Sequence, residues 1–315
     1  MEMRTLTIRT ILLFLFCSQS IIDSFAQQDQ MYSMYMYNQL LINPAYAGSL
    51  PQNQAVGLFR RQWVNFPGSP STATVSVQGR IGEKNMGWGF NAFNDNLGII
   101  HNTGANGVYS YSINLKKSKL AFGLQAGVRN FTASLTDSKL SSNNEFDQAF
   151  DNNISHWSFN FGTGIFYYSE NWFVSLGVPH LRTHRLSDKD LNTTDEARLN
   201  NHYFLNGAYI LEINDQIKVK PSMLVKAVSG APMQADLNVN AYYHDSYGIG
   251  LSYRTGGTFL IMSEIKISNN FQTAIAYDIA TGKVRRSLGG SFEIMLKYDF
   301  RSSKDSETEF ERRLF

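Results

Sequence analysis

The chain has 315 residues, and its 28 Lys and Arg stand against 26 Asp and Glu for a formal net charge of +2. So even a balance, with no patch of one sign, gives no reason to expect nucleic acid as a partner. The single cysteine, Cys17, lies in the first twenty residues. Once an export signal is removed, a disulfide framework, a thiol nucleophile and a thiolate metal site are all excluded.

That export signal is the first element. Arg4 and Arg9 supply a positive start, Ile11 to Phe16 an apolar stretch, and Ser24-Phe25-Ala26 small residues at the −3 and −1 positions. The apolar run is well short of the roughly 18 residues a spanning helix needs. Leu15 and Phe16 are too bulky for a lipid-attachment site at Cys17. Cleavage after Ala26 is therefore expected, leaving 289 residues.

Residues 27–52 are expected to form an N-terminal arm. It is dense in Tyr and Met (Tyr32, Met34, Tyr35, Met36, Tyr37), broken by Pro44 and ended by a turn at Gly48.

From residue 53 to 300 the main signal is alternation of period two. In 119–129, Leu120, Phe122, Leu124, Ala126 and Val128 share one face, and Ala121, Gly123, Gln125, Gly127 and Arg129 the other. In 247–254, Tyr247, Ile249, Leu251 and Tyr253 oppose Gly248, Gly250, Ser252 and Arg254. In 270–279, Phe271, Thr273, Ile275 and Tyr277 oppose Gln272, Ala274, Ala276 and Asp278. In 216–227, Ile217, Val219, Pro221, Met223 and Val225 oppose Lys218, Lys220, Ser222, Leu224 and Lys226. Pro221 has no N–H to give a ladder, so a bulge or a pairing defect is expected there.

The second face is small, polar and rich in Gly, which suits a crowded lumen better than a solvated sheet. The 22 Phe and 16 Tyr far outnumber the 7 Pro and 4 Trp. Tyr109, Tyr111, Tyr167, Tyr168, Tyr209, Tyr242, Tyr243, Tyr253, Tyr277 and Tyr298 fall near predicted strand ends, as the aromatic girdles of a membrane barrel would. Mean hydropathy is mildly negative, as expected when lipid-facing and lumen-facing residues alternate. The fold class is thus all-β, a transmembrane antiparallel β-barrel of about 14 strands, an even number as closure requires.

Strands are predicted near 53–61, 71–80, 86–94, 105–116, 119–131, 156–168, 171–178, 202–213, 216–227, 233–243, 247–254, 257–267, 270–279 and 286–300. Tight turns are predicted at 169–171, 214–215 and 268–270. Two long polar connections, 132–155 and 179–201, are expected as surface loops. The last strand carries Leu288, Phe292, Ile294, Leu296, Tyr298 and Phe300 on one face, with Phe300 as its aromatic end. A short polar tail, 301–315, follows.

Chemical signals are sparse. His180 and His184 would share a face only on a helix, and Pro179 with Arg182 and Arg185 argues against a cation there. His101, His156, His202 and His244 are expected as interfacial residues at strand ends. No G-x-S-x-G elbow, P-loop or H-E-x-x-H occurs. No enzyme activity, cofactor or metal is expected. Arg60-Arg61-Gln62-Trp63, followed by Phe66 to Ser69, Pro70 and Thr72, admits two readings. It is either a strand end with a girdle Trp and headgroup-level bases, or a rigid turn packing on the arm.

Several of these pieces together resemble the PorP/SprF family of outer-membrane proteins in type IX secretion and gliding motility of Bacteroidota-type bacteria. They are Tyr35-Met36-Tyr37-Asn38, Asn43-Pro44-Ala45-Tyr46-Ala47-Gly48-Ser49, Arg61-Gln62-Trp63 with Pro70 and Thr72, Gly87-Trp88-Gly89, Asp95-Asn96-Leu97-Gly98 and Phe292 to Phe300. The resemblance covers essentially the whole mature chain, and the Asn43 to Gly48 piece is its most specific part. Gln39 departs from the pattern, where the family more often has Pro. The resemblance implies a cell outer membrane protein that binds and does not catalyse. Its implied partners are the lipid bilayer, the periplasmic and outer-membrane parts of the secretion machinery, and the C-terminal domain of a cognate secreted protein, commonly an adhesin. A porin or substrate-specific channel is the alternative expectation.

Overall fold

A computed structural model of the chain describes residues 32–82, 85–134, 153–181, 201–229, 231–281 and 289–300. The export signal, the polar tail, His184 and most of the two long connections lie outside the described residues.

Among the described residues fifteen strand segments follow one another. They are β1 (Asn53–Arg61), β2 (Ser71–Arg80), β3 (Met86–Leu97), β4 (Ile100–Asn114) and β5 (Lys119–Ala133). Next come β6 (Ile154–Tyr168), β7 (Trp172–Val178), β8 (His202–Tyr209), β9 (Leu211–Glu212) and β10 (Ile217–Val228). The last are β11 (Gln234–Tyr243), β12 (Tyr247–Arg254), β13 (Thr258–Lys266), β14 (Phe271–Ala280) and β15 (Ser291–Phe300). Apart from β8 and β9, consecutive segments pair antiparallel, and β15 pairs back onto β1 from Asn53↔Phe300 to Arg61↔Phe292. β8 and β9 both lie against β10 and continue one another, so the sheet is a closed barrel of 14 strands.

The break between β8 and β9 has a local cause. β10 pairs with β8 from Ser222↔Ala208 onward, and with β9 at Val219↔Leu211 and Lys218↔Glu212. The register is the same on both sides of the gap, so no residue is inserted and there is no bulge. The gap between the two is Lys220 and Pro221, which lack ladder partners on this side and lie opposite Ile210 and Tyr209. One missing N–H, that of Pro221, is enough to open such a gap. On its other side Pro221 stays in register with Val239 of β11.

Along each strand the side chains alternate between two environments. Leu124 is 63 % exposed, Ile249 65 % and Leu251 60 %, all on the outer face. Gln125, Asn206, Asn238, Lys226 and Glu293 point inward and are buried. Apolar outside with polar inside is the reverse of a water-soluble sheet and is what hydrocarbon selects. Closure pairs the strand edges, which a bilayer requires. Among the described residues no helix is long and apolar enough to cross a membrane; the strands do so.

Most of the tyrosines expected in girdles face outward, but Tyr168 is buried against Phe166 inside the barrel. Tyr242 also faces inward, hydrogen-bonded to Asn240 and to Tyr37 of the arm. Both sit on the inward parity of their strands. For the same reason His202, expected at the interface, is buried in the lumen beside Phe204.

The two ends of the barrel differ. At one end the connections are short, at 81–85, 115–118, 169–171, 213–216, 244–246 and 267–270. The other end carries 62–70, 134–153, 179–201 and 281–290, together with shorter links at 98–99, 229–233 and 255–257. These are called the turn face and the loop face. Asn53 and Phe300, where the barrel begins and ends, both lie at the turn face.

Candidate functional site

The lumen is filled by the chain's own residues 32–50. Met34, Tyr35, Leu40, Ala45, Tyr46 and Leu50 are all at most 3 % exposed. This segment has no run of period two or 3.6 to join a sheet or form a long helix. It folds as three one-turn 3₁₀ helices, Tyr35–Tyr37, Gln39–Leu41 and Pro44–Tyr46.

The third turn explains the Asn43 to Gly48 motif in local terms. Asn43 is extended, and its Oδ1 accepts from the Ala45 N–H at 2.9 Å, capping the turn. Pro44 follows at the first helical position, where a missing N–H costs nothing. Gly48 then takes φ +69°, which turns the chain toward β1. Its backbone lies so close to Gly87 that an added Cβ would stand 2.5 Å from the Gly87 Cα. Ala47 lies on the same wall, its carbonyl accepting from Ser110 Oγ at 2.5 Å.

The wall facing this turn is lined with glycine for a steric reason. A Cβ at Gly123 would strike the backbone of Pro44 and Ala45, and one at Gly177 the backbone of Ile42 and Asn43. At these positions glycine is required because the arm's backbone lies directly on the wall, whereas Gly127, Gly162 and Gly250 are crowded by residues of the barrel itself. Tyr46 then packs edge-on against Phe166, with ring centroids 5.6 Å apart.

The opposite wall holds the arm through side chains. Glu293 Oε2 accepts from the Ser33 N–H and Oε1 from the Met34 N–H, each at 2.8 Å. Arg60 donates from Nη1 to Glu293 Oε2 (2.9 Å) and to Ser33 Oγ (2.6 Å), and from Nη2 to Asp278 Oδ2 (2.6 Å). Ser33 Oγ in turn donates to Asp278 Oδ2 at 2.8 Å. The cluster is buried, and Glu293 is fully shielded. Arg60 and Glu293 stand opposite one another where the first and last strands meet.

Further along, Asn238 donates to the Tyr35 hydroxyl (2.6 Å), Asn38 to Ser76 Oγ (2.9 Å) and Asn43 to the Ile165 carbonyl (2.9 Å). At the turn face Gly48 N–H donates to Gln78, and Arg80 donates to the carbonyls of Gly48 and Ser49. A cavity of about 50 Å³ remains toward the loop face, between Tyr32, Arg129, His180 and His202. A polar one of about 240 Å³ opens beside Gly48, Arg80 and Lys119 at the turn face.

Of the residues singled out in the sequence, Asn43, Pro44, Ala45, Tyr46, Ala47 and Gly48 come together as one docked turn. Gln39 opens the second 3₁₀ helix at a position suited to Pro, and its Oε1 accepts from Asn206 at 2.7 Å. Arg61, Gln62 and Trp63 leave β1 toward the loop face. Arg61 is exposed, Gln62 N–H donates to the Pro70 carbonyl at 2.9 Å, and Trp63 takes φ +52°. Thr72 donates to Asp95 at 2.5 Å. The arm contact from this cluster is made by Arg60, which belongs to the basic cluster read from the sequence but not to the family motif Arg61-Gln62-Trp63. The signal for it was parity, which puts Arg60, Asp278 and Glu293 on the buried side of adjacent strands. Ile294, Leu296, Tyr298 and Phe300 form the exposed outer face of β15, with Phe292 half-buried beside Phe59. His180 meets Asn160 at 2.9 Å.

Among solved structures the chain is similar to several outer-membrane proteins, at low scores. A FadL homologue from Pseudomonas aeruginosa has a TM-score of 0.47 at 12% identity, over 85% of this chain and 94% of that one. The outer membrane protein Omp33 of Acinetobacter baumannii has 0.46 at 8% identity, over 80% and 100%. The KdgM porin has 0.37 at 12% identity, over 79% and 99%. No curated protein sequence matches the chain. The sequence model for the type IX secretion system membrane protein PorP/SprF matches residues 24–298. That span takes in the arm and all fifteen strand segments up to the last two residues of β15. With a closed, lipid-facing barrel behind that match, the chain belongs to the PorP/SprF family of type IX secretion membrane proteins and resides in the outer membrane.

Proposed function

We propose that the protein is a non-enzymatic scaffold that supports secretion and cell-surface attachment of one cognate secreted protein, an adhesin, through that protein's C-terminal domain. Family membership supplies the secretion context. The observation that carries the scaffold reading is the filled lumen, in which residues 32–50 are held on every side. A barrel packed along its axis is suited to presenting surfaces and poorly suited to conducting solutes. In this reading residues 1–26 direct export, 27–52 form the arm, of which 32–50 plug the lumen, and 53–300 form the barrel. The aromatic face ending at Phe300 is the mark used for membrane insertion, and 301–315 stay in the periplasm. Loops meet the cargo, and turns meet the periplasmic machinery.

The test is affinity isolation of the tagged protein from solubilised outer membranes, read by mass spectrometry. Co-isolation of a large secreted protein with a type IX C-terminal domain, or of secretion-machinery components, is the expected outcome. Isolation of the barrel alone, under conditions that preserve a known secretion complex, would sink the attachment reading and leave the channel alternative.

A further inference from the structure

We propose that the mature amino terminus emerges on the loop face of the barrel, at the cell surface.

The direction of the arm carries this. At one end of the arm, Ser33 and Met34 are held by Arg60, Asp278 and Glu293. Arg60 is the penultimate residue of β1, Glu293 the third of β15 and Asp278 the third from the end of β14, all near the loop face. The other end of the arm is held by Gln78, Arg80 and Ser110, all near the turn face. Between them Tyr35 and Gln39 meet Asn238 and Asn206, each the fifth residue from the loop-face end of its strand, and Asn43 meets Ile165, the twelfth of fifteen in β6. The chain therefore runs down the lumen from loop face to turn face, then reverses at Gly48 to enter β1. In a bacterial outer-membrane barrel the short turns are periplasmic and the loops extracellular.

Length then decides where the terminus lies. With cleavage after Ala26, five residues precede Tyr32. Fully extended they reach about 17 Å. The apolar band of such a barrel is about 25 Å tall, and the lumen below Ser33 is occupied by the arm itself. Five residues cannot return to the periplasm by that route. The inference rests on the outer-membrane placement and not on the identity of any cargo, so failure of the attachment reading leaves it standing.

The mature chain has no cysteine, so single-cysteine labelling tests this directly. Asp29→Cys is compared with Pro67→Cys on the loop face and Asp215→Cys on the turn face, in intact and in lysed cells. The probe is a membrane-impermeant maleimide, and folding is checked by heat-modifiable migration. Gln28→Cys replaces Asp29→Cys should the latter fail to fold. The expected result is labelling of the arm cysteine in intact cells to the extent of Pro67→Cys. Labelling only after lysis, as for Asp215→Cys, overturns the proposal. So does labelling only after denaturation, or an intact mass showing that residues 1–26 are retained.

Discussion

Arg60 lies one residue from the end of its strand, yet its guanidinium is inside the barrel and serves two carboxylates and a serine of the arm. Isolated, any of these charges would be costly to bury; together they satisfy one another and fix Ser33 in place. Arg60→Ala should leave Asp278 and Glu293 uncompensated and cost about 3–5 kcal/mol. The check is the urea unfolding midpoint of the detergent-folded barrel. An unchanged midpoint would mean that the cluster does not hold the arm. The two Arg residues of Arg60-Arg61 are chemically alike in the sequence, and the motif pointed at Arg61. Alternation along β1 separates them, sending Arg61 to the exposed outer face and Arg60 into the lumen. What parity alone could not say is which carboxylates Arg60 meets, because these come from β14 and β15, more than 200 residues away.

At the scale of elements, most strands were legible and the arm was not. Period-two patterning placed 53–61, 71–80 and 247–254 with the same bounds as the structure. It fell short at β4 and β6, which begin at Ile100 and Ile154, because His101, Asn102 and Ser155 interrupt the apolar alternation where the strands rise past the lipid. Pro221 was legible as a defect, since a missing donor is a property of one residue. Pro221→Val should restore the bond to the Tyr209 carbonyl and join β8 to β9. Slower amide hydrogen exchange around 209–221 is expected, with a stability gain of about 0.5–1.5 kcal/mol; unchanged exchange would show that the gap has another cause. In the arm, the cap at Asn43, the Pro at the first helical position and the reversal at Gly48 are local and could be read from the motif. The path of the arm could not, because its turns are each a single turn long and owe their stability to the walls around them.

For the whole molecule the consequence is a barrel closed in two senses, around its circumference by β1 on β15 and along its axis by the arm. Deleting residues 32–50 should convert a barrel that is silent in a planar bilayer into one with measurable single-channel conductance. Persistent silence in a deletion variant that still shows heat-modifiable folding would mean that something other than the arm closes the pore. The sequence by itself determined the export signal's pattern, the all-β class, a count of about 14 strands and, for most strand positions, which side chains face lipid, because hydrocarbon imposes a strict alternation that each strand displays alone. Only the tertiary structure decided that the arm occupies the lumen, which glycines its backbone rests on, and that Glu293 grips its start. Those are contacts between segments far apart in the chain. They exist only once the sheet has closed and brought opposite walls within hydrogen-bonding distance of a peptide that has no other place to bury its tyrosines and methionines.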